Sequence, residues 1–290
     1  MADLLSLMTV HAHPDDESSK GPATIAKYHA QGVHTVVVCC TGGEEGEILN
    51  QKVTLADGES LGDRRKHELE TACEIIGYDE LIWLGYRDSG MPDSEANQRP
   101  DAFANAPLDE AVARLVAAIR THKPQVLVCY PDEQHEYPHP DHLRDHEITI
   151  VAFDRAADPS FHPELGDPHE VAKLYYTVWA GQRMAALHQA YLDRGMESPF
   201  NEDFLKRMAT QEPYSTTIDI AEFARVRDLA LMAHGTQIDP ESPFWFGLPQ
   251  EIRDAIYPLE HYRLAISRVG EIDVIEDDLF AGITADVPAR

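Results

Sequence analysis

Two rhythms of apolar residues take turns along the first 180 positions. Residues 4–10 read as a buried strand, and 22–30 as a short helix that stops at Gly32. Residues 35–40 are rich in β-branched side chains and predict a second strand, followed by a glycine-rich loop at 41–46. Leu69, Ala72, Cys73 and Ile76 then recur on one helical face, with Gly77 as the break. Residues 81–84 predict a short strand. Leu108, Ala111, Val112, Leu115, Val116 and Ile119 form another helical stripe. A strand over 125–130, a helix beginning near Pro140 and a strand over 173–179 complete the series.

This alternation predicts an α/β fold with a mainly parallel sheet flanked by helices. Right-handed crossovers would make residues 1–180 a Rossmann-like core. Residues 181–290 read as a less regular C-terminal elaboration of the same single domain, contributing to the substrate pocket. Within it, Asp219 with Glu222 predicts the N-terminal cap of a helix over 220–232. Residues 239–247, rich in proline and aromatics, predict a loop. The polar stretch 273–290 predicts a frayed end.

Charge narrows the range of partners. The 290 residues include 24 basic and 51 acidic side chains, a net charge of -27, so a phosphate backbone or an anionic lipid surface would repel the chain. Nucleic acid and membrane are therefore excluded as expected partners. The four cysteines show no CxxC spacing and read as buried thiols of a reducing compartment. No basic region or cleavage site of a signal peptide is evident, and no apolar run reaches transmembrane length, so a cytoplasmic protein is expected.

Two short motifs carry chemistry. His11-Ala12-His13-Pro14-Asp15-Asp16-Glu17 directly follows the first strand, and Tyr137-Pro138-His139-Pro140-Asp141-His142 follows the strand over 125–130. Ligands of open parallel sheets bind beyond the carboxyl ends of the strands, where both motifs fall. Two imidazoles and a carboxylate, supplied by His13, Asp16 and His142, suit a divalent metal such as Zn²⁺ with an open position. Asp15, beside Asp16 but pointing elsewhere, would accept a proton from water. A charged His139 with Asp141 as its orienting carboxylate would stabilise an oxyanion. A single His-Pro pair is ordinarily a surface loop and an Asp-Asp pair a helix cap, but two such clusters at two strand ends argue for a shared site. Other candidates have blander readings. His11 packs, His146 is structural, and His234 faces a helix dipole. Phe244, Trp245 and Phe246 either wall a pocket or cover the core.

The HPDDE run at 13–17 together with HPDH at 139–142 resembles the LmbE/PIG-L deacetylase family. The resemblance implies a Rossmann-like fold and metal-dependent N-deacylation of glucosaminyl compounds. It implies one divalent metal, Zn²⁺ or alternatively Fe²⁺, on His13, Asp16 and His142, with Asp15 as general base. It further implies that Tyr137 and His139 stabilise the tetrahedral intermediate and that Asp141 orients His139. Longer similarities, in Thr41-Gly42-Gly43-Glu44-Glu45-Gly46-Glu47, in Arg65 before Glu68-Leu69 and in Asp88-Ser89-Gly90, are to the mycothiol branch of the family. There Glu47, Arg65 and Asp88 correspond to residues that bind inositol and glucosamine hydroxyls. Lys20 and the stretch 234–239 resemble the S-conjugate amidases of that branch. The implied substrate is then a small-molecule glucosaminyl-inositol thiol conjugate, cleaved to glucosaminyl-inositol and an N-acetylcysteine S-conjugate in detoxification. The alternative is deacetylation of N-acetylglucosaminyl-inositol or of another N-acetylglucosaminide; a homo-oligomer is allowed but not required. One departure is Gln134-His135-Glu136 before Tyr137, where the family has a glycine-rich pair.

Overall fold

In the computed structural model, residues 5–132, 138–209, 213–270 and 275–283 are described. The chain runs β1 (Ser6–His11), α1 (Asp16–Ser19), α2 (Pro22–Ala30), β2 (His34–Thr41), α3 (Leu61–Ile76), β3 (Glu80–Tyr86), α4 (Leu108–His122), β4 (Val126–Cys129) and α5 (Pro140–Arg155). It continues with β5 (Lys173–Val178), α6 (Gly181–Leu192), α7 (Glu202–Ala209), β6 (Thr216–Asp219), α8 (Ala224–Ala233), α9 (Pro243–Phe246), α10 (Gln250–Ile256) and β7 (Leu259–Ser267). The strands form one sheet in the order β3-β2-β1-β4-β5-β7-β6. The first five are mutually parallel, and β7 runs antiparallel to both of its neighbours.

Every residue of β1 is buried, because the strand is covered on both faces and flanked by β2 and β4. Successive strand residues point to opposite faces. Met8 and Val10 accordingly pack with Leu115, Ile119, Ile148 and Phe153 of α4 and α5. Leu7 packs on the other face with Ile25 and Tyr28 of α2, Ile76 of α3 and Ala230 of α8. The predicted helix stops hold. Gly77 sits at φ +93°, and a Cβ there would lie 2.8 Å from the His29 ring. Ser60 caps the start of α3 by accepting from the Asp63 N–H at 3.1 Å.

Chain order reverses beside β1. The path runs outward through β2 and β3 on one side, while β4 and β5 lie on the other. The carboxyl ends of β1 and β4 are therefore neighbours at the switch point, and the two motifs that follow them share one crevice.

The C-terminal third is more regular than its sequence suggests. It extends the same sheet by β7 and β6 and covers one face with α8. The cap expected at Asp219 is corrected: Asp219 ends β6, its carboxylate accepts from the Ala221 N–H at 2.9 Å in a turn, and the helix begins only at Ala224. The loop expected at 239–247 contains the short helix α9. The fraying expected of 273–290 does not apply to 275–283, where Glu276, Leu279 and Phe280 are buried. Lys173, fully buried on β5, donates to Glu276 at 2.7 Å, and the Tyr175 hydroxyl donates to the other carboxylate oxygen at 2.8 Å. All four cysteines are buried free thiols. Among the described residues no helix is long and apolar enough to cross a membrane.

Removing one partner of a buried ion pair strands the other charge. Glu276→Ala should lower unfolding stability by about 3–5 kcal/mol, and a Lys173→Met, Glu276→Leu double variant should recover most of that. Urea unfolding midpoints at matched slope measure both; a loss under about 1 kcal/mol in Glu276→Ala would contradict the anchoring role of this pair.

Candidate active site

Beyond β1 the chain turns sharply. Asp15 adopts φ +101° and ψ -22°, the left-handed region that a non-glycine residue seldom occupies. Two contacts hold it there. Its N–H donates to Glu17 Oε2 at 2.9 Å, and its carboxylate accepts from Arg65 Nη2 at 3.0 Å. The same Arg65 nitrogen donates to the Pro14 carbonyl at 2.6 Å, and Nη1 donates to the Gly43 carbonyl at 2.8 Å. Gly43 is required here: at φ +65°, a Cβ would lie 2.2 Å from Arg65 Nη1. Glu17 is fixed in turn by His234 Nε2 at 2.7 Å, with both side chains fully buried.

The turn sends the two neighbouring carboxylates in different directions. Asp16 faces inward. Its Oδ2 lies 3.4 Å from His142 Nε2 and 3.5 Å from His13 Nδ1, and it accepts from the Tyr130 hydroxyl at 2.6 Å and the His13 N–H at 3.1 Å. Its other oxygen pairs with Lys20 Nζ. Burial opposes the charged form, but Lys20, His142 and His13 hold the Asp16 carboxyl well below the usual range. Asp15 behaves oppositely: burial pushes its pKa up, and Arg65 only partly restrains it.

His13 bridges two layers of carboxylates. Its Nε2 lies 3.2 Å from Asp141 Oδ2 and 3.5 Å from Asp88 Oδ1. Asp141 is held by the Ser89 N–H at 2.9 Å and by the Ser89 hydroxyl; Asp88 accepts from the Gly90 N–H at 2.8 Å and the Glu45 N–H at 3.2 Å. Burial works against a charged His13, yet Asp141, Asp16 and Asp88 outweigh it and raise its pKa well above the ordinary imidazole value.

His13 Nδ1, Asp16 Oδ2 and His142 Nε2 fit one metal ion. The set His13, Asp16 and His142 offers donor atoms all within 4.8 Å of one another. Ligand atoms about 2.0–2.1 Å from a tetrahedral ion sit roughly 3.3 Å apart, close to the 3.4 and 3.5 Å separations found here. Burial lowers the His142 pKa toward the neutral imidazole that a metal needs, whereas His13, raised by its carboxylates, must release its Nδ1 proton to bind one. A second convergent set, His13, His139 and Asp141, is less suited. Its Asp141 oxygens are engaged by Ser89, and His139 Nδ1 accepts from the Asp141 N–H at 3.2 Å.

That last bond is made by the Asp141 main chain, whereas the sequence predicts that its carboxylate orients His139. His139 is the N-cap of α5, so the main-chain N–H of the second helical residue points back at its ring. The Asp141 carboxylate is turned to His13 instead. Burial, with His13 nearby, pushes the His139 pKa down to about 4, whereas the sequence predicts a charged ring. With Nδ1 accepting, the neutral ring carries its proton on Nε2 and remains a donor.

Of the expected polyol-binding residues, Arg65 is buried and ties the Asp15 turn to the glycine-rich loop, while Asp88 lies against His13. Glu47 is exposed on the cavity wall, with its carbonyl accepting from Gln237. Lys20 lines the same cavity and lies 5.3 Å from the Tyr130 ring centroid. Tyr137 and Gln134-His135-Glu136 lie outside the described residues. His11 packs edge-on against Tyr130, and His146 donates to the Tyr130 carbonyl at 3.0 Å. Sequence reading passed over Tyr130, which stacks on His142 at 4.3 Å while donating to Asp16; its one signal was a polar aromatic ending the strand before the second motif. Glu17, Ser89 and Glu68 were also unassigned. Glu68 accepts from the Thr236 N–H and hydroxyl at 2.8 and 2.7 Å, and so anchors the segment carrying His234.

These groups sit at the floor of a cavity of about 710 Å³. Beyond β2 and β3 the lining mixes Glu45, Glu47, Arg65 and Asp88 with Leu49 and Met91, and Val178, Trp179, Phe204, Met208 and Trp245 line another part. A family model described as "PIG-L: GlcNAc-PI de-N-acetylase" matches residues 8–153. The mycothiol S-conjugate amidase of Streptomyces coelicolor is 48% identical, over 98% of this chain and 99% of that protein. The 1D-myo-inositol 2-acetamido-2-deoxy-alpha-D-glucopyranoside deacetylase of Geodermatophilus obscurus is 42% identical, over 96% and 97%. Among solved structures, the conserved protein TT1542 of Thermus thermophilus superposes with a TM-score of 0.58 at 18% identity, covering 93% of this chain and 98% of that one. The N,N'-diacetylchitobiose deacetylase of Pyrococcus horikoshii gives 0.51 at 18% identity, covering 91% and 84%, so these two attest the fold. Matched by the family model across both motifs and by relatives along nearly its whole length, the chain belongs to the PIG-L family of de-N-acetylases, enzymes that hydrolyse an amide.

Proposed function

We propose that this chain hydrolyses the amide of mycothiol S-conjugates, releasing glucosaminyl-inositol and an N-acetylcysteine S-conjugate, with Zn²⁺ as the resident ion and Fe²⁺ as the alternative. The chemistry rests on one observation: His13, Asp16 and His142 converge at a cavity floor with the Asp15 carboxylate turned beside them. The substrate rests on similarity to the Streptomyces amidase along the whole chain.

A divalent cation on His13, Asp16 and His142 supplies Lewis acidity toward the amide carbonyl and toward water. Asp15 takes the proton of the attacking water as the new C–O bond forms. Burial raises its pKa, which suits a base that must hold a proton and then release it. As the C–N bond breaks, Asp15 returns that proton to the leaving amine nitrogen. His139 Nε2–H donates to the oxygen that gains charge in between. Asp141 and Asp88 steady His13 from behind, as carboxylates commonly do for metal-bound imidazoles. Glu45 and Glu47, exposed on the cavity wall, offer carboxylates to the hydroxyls of the amine half.

A second reading, deacetylation of N-acetylglucosaminyl-inositol, is favoured by the 42% identity to the Geodermatophilus enzyme. The two readings separate in a paired assay on zinc-reconstituted protein at matched concentrations. Faster cleavage of a fluorescent mycothiol S-conjugate is expected; faster acetate release from N-acetylglucosaminyl-inositol would make the protein a deacetylase. Asp15→Asn should retain stoichiometric zinc by elemental analysis while kcat falls roughly 10²–10⁴-fold. Full zinc with undiminished turnover would remove Asp15 from the proton transfers.

A further inference from the structure

The three candidate ligands come from two separate stretches of chain. His13 and Asp16 lie on the turn after β1, and His142 lies in the first turn of α5, after β4. Donors that rotate freely must be ordered when an ion arrives, whereas donors already held in place bind it more tightly. Tyr130, the residue that follows β4, is 2% exposed and touches both stretches.

Its hydroxyl serves the first stretch. The oxygen accepts from the N–H of Ala12, the neighbour of His13, at 3.0 Å, and the hydroxyl donates to Asp16 Oδ2 at 2.6 Å. An ionised carboxylate only accepts, so the single hydroxyl proton lies toward Asp16. The separation is that of a charge-assisted bond to a carboxylate. Lys20 engages the other Asp16 oxygen, so both oxygens are fixed, and Oδ2 is the one beside the imidazoles.

Its ring serves the second stretch. It lies on the His142 imidazole with centroids 4.3 Å apart and planes 9° from parallel. Tyr130 is itself held from behind. His11 meets its ring edge-on at 6.0 Å, and His146, one turn beyond His142 on α5, engages the Tyr130 carbonyl through Nδ1 at 3.0 Å. We propose that Tyr130 is a positioning residue, holding one carboxylate ligand by its hydroxyl and one imidazole ligand by its ring, and that it sets how tightly the site retains its divalent ion. The inference rests on the metal-site reading above and on neither of the two substrates.

The test is zinc competition against a chromophoric chelator, on full-length wild type, Tyr130→Phe and Tyr130→Leu, once circular dichroism shows the metal-free proteins folded. Tyr130→Phe keeps a ring on His142 and removes the bond to Asp16, so its zinc Kd should rise roughly 10–100-fold. Tyr130→Leu loses the ring as well and should hold zinc more weakly still. A side chain that merely packs the core would lower the urea unfolding midpoint of the metal-free protein and leave the zinc Kd unchanged. A Tyr130→Phe Kd within about threefold of wild type, or below it, would therefore overturn the proposal. A wild type that takes up no zinc would instead defeat the metal-site reading on which the proposal stands. A crystal structure of the zinc-loaded wild type supplies a check that needs no variant. The Tyr130 hydroxyl should remain within hydrogen-bond distance of Asp16, and a hydroxyl turned away from it would contradict the proposed role.

Discussion

Asp15 stands in a backbone conformation that costs a non-glycine residue on the order of 1–3 kcal/mol, and much of the site exists around that constraint. The left-handed turn separates two adjacent carboxylates, so that Asp16 joins the imidazoles while Asp15 stays beside them. The strain is offset locally. Glu17 holds the Asp15 N–H, Arg65 holds the Asp15 carboxylate and the Pro14 carbonyl, and Gly43 makes room for the guanidinium. Residues far along the chain then acquire a purpose: His234 fixes Glu17, and Glu68 fixes the segment behind His234. The geometry of one turn is thus secured by α3 and by the segment after α8.

Electrostatics adds a second layer. Asp15, Asp16, Asp88 and Asp141 crowd the end of β1 against Lys20, Arg65 and the imidazoles. A divalent cation on the inner set would offset the surplus of negative charge, and the outer carboxylates would then hold His13 in place. The chain's net charge of -27 does not bear on this arrangement, which depends on a few buried groups rather than on the surface.

What could be read in the sequence depended on how each element is covered. The strands and helices of the parallel half carry strong patterns because both faces of the sheet are buried, and α2 and the starts of α4 and α5 lie where the periodicity puts them. By contrast, β6 is four residues long and β7 is mostly half-buried, so neither produces a clear apolar run. The buried anchor of 275–283 is a Lys–Glu pair between distant segments, invisible to any local pattern. The same limit applies in the site. Motif spacing brings His13, Asp16 and His142 together, but the side chain that Asp141 chooses depends on Ser89 arriving from the end of β3. The role of Tyr130 likewise depends on β4 lying next to β1.

We propose that two imidazoles and one carboxylate hold a single ion at the switch point of the sheet. X-ray absorption at the zinc edge, on wild-type protein and on His142→Ala, tests it most directly. One zinc with two imidazole nitrogens and otherwise oxygen neighbours is expected in the wild type, and one imidazole or no bound zinc in the variant. Sulfur neighbours, or an unchanged two-imidazole spectrum in His142→Ala, would contradict it.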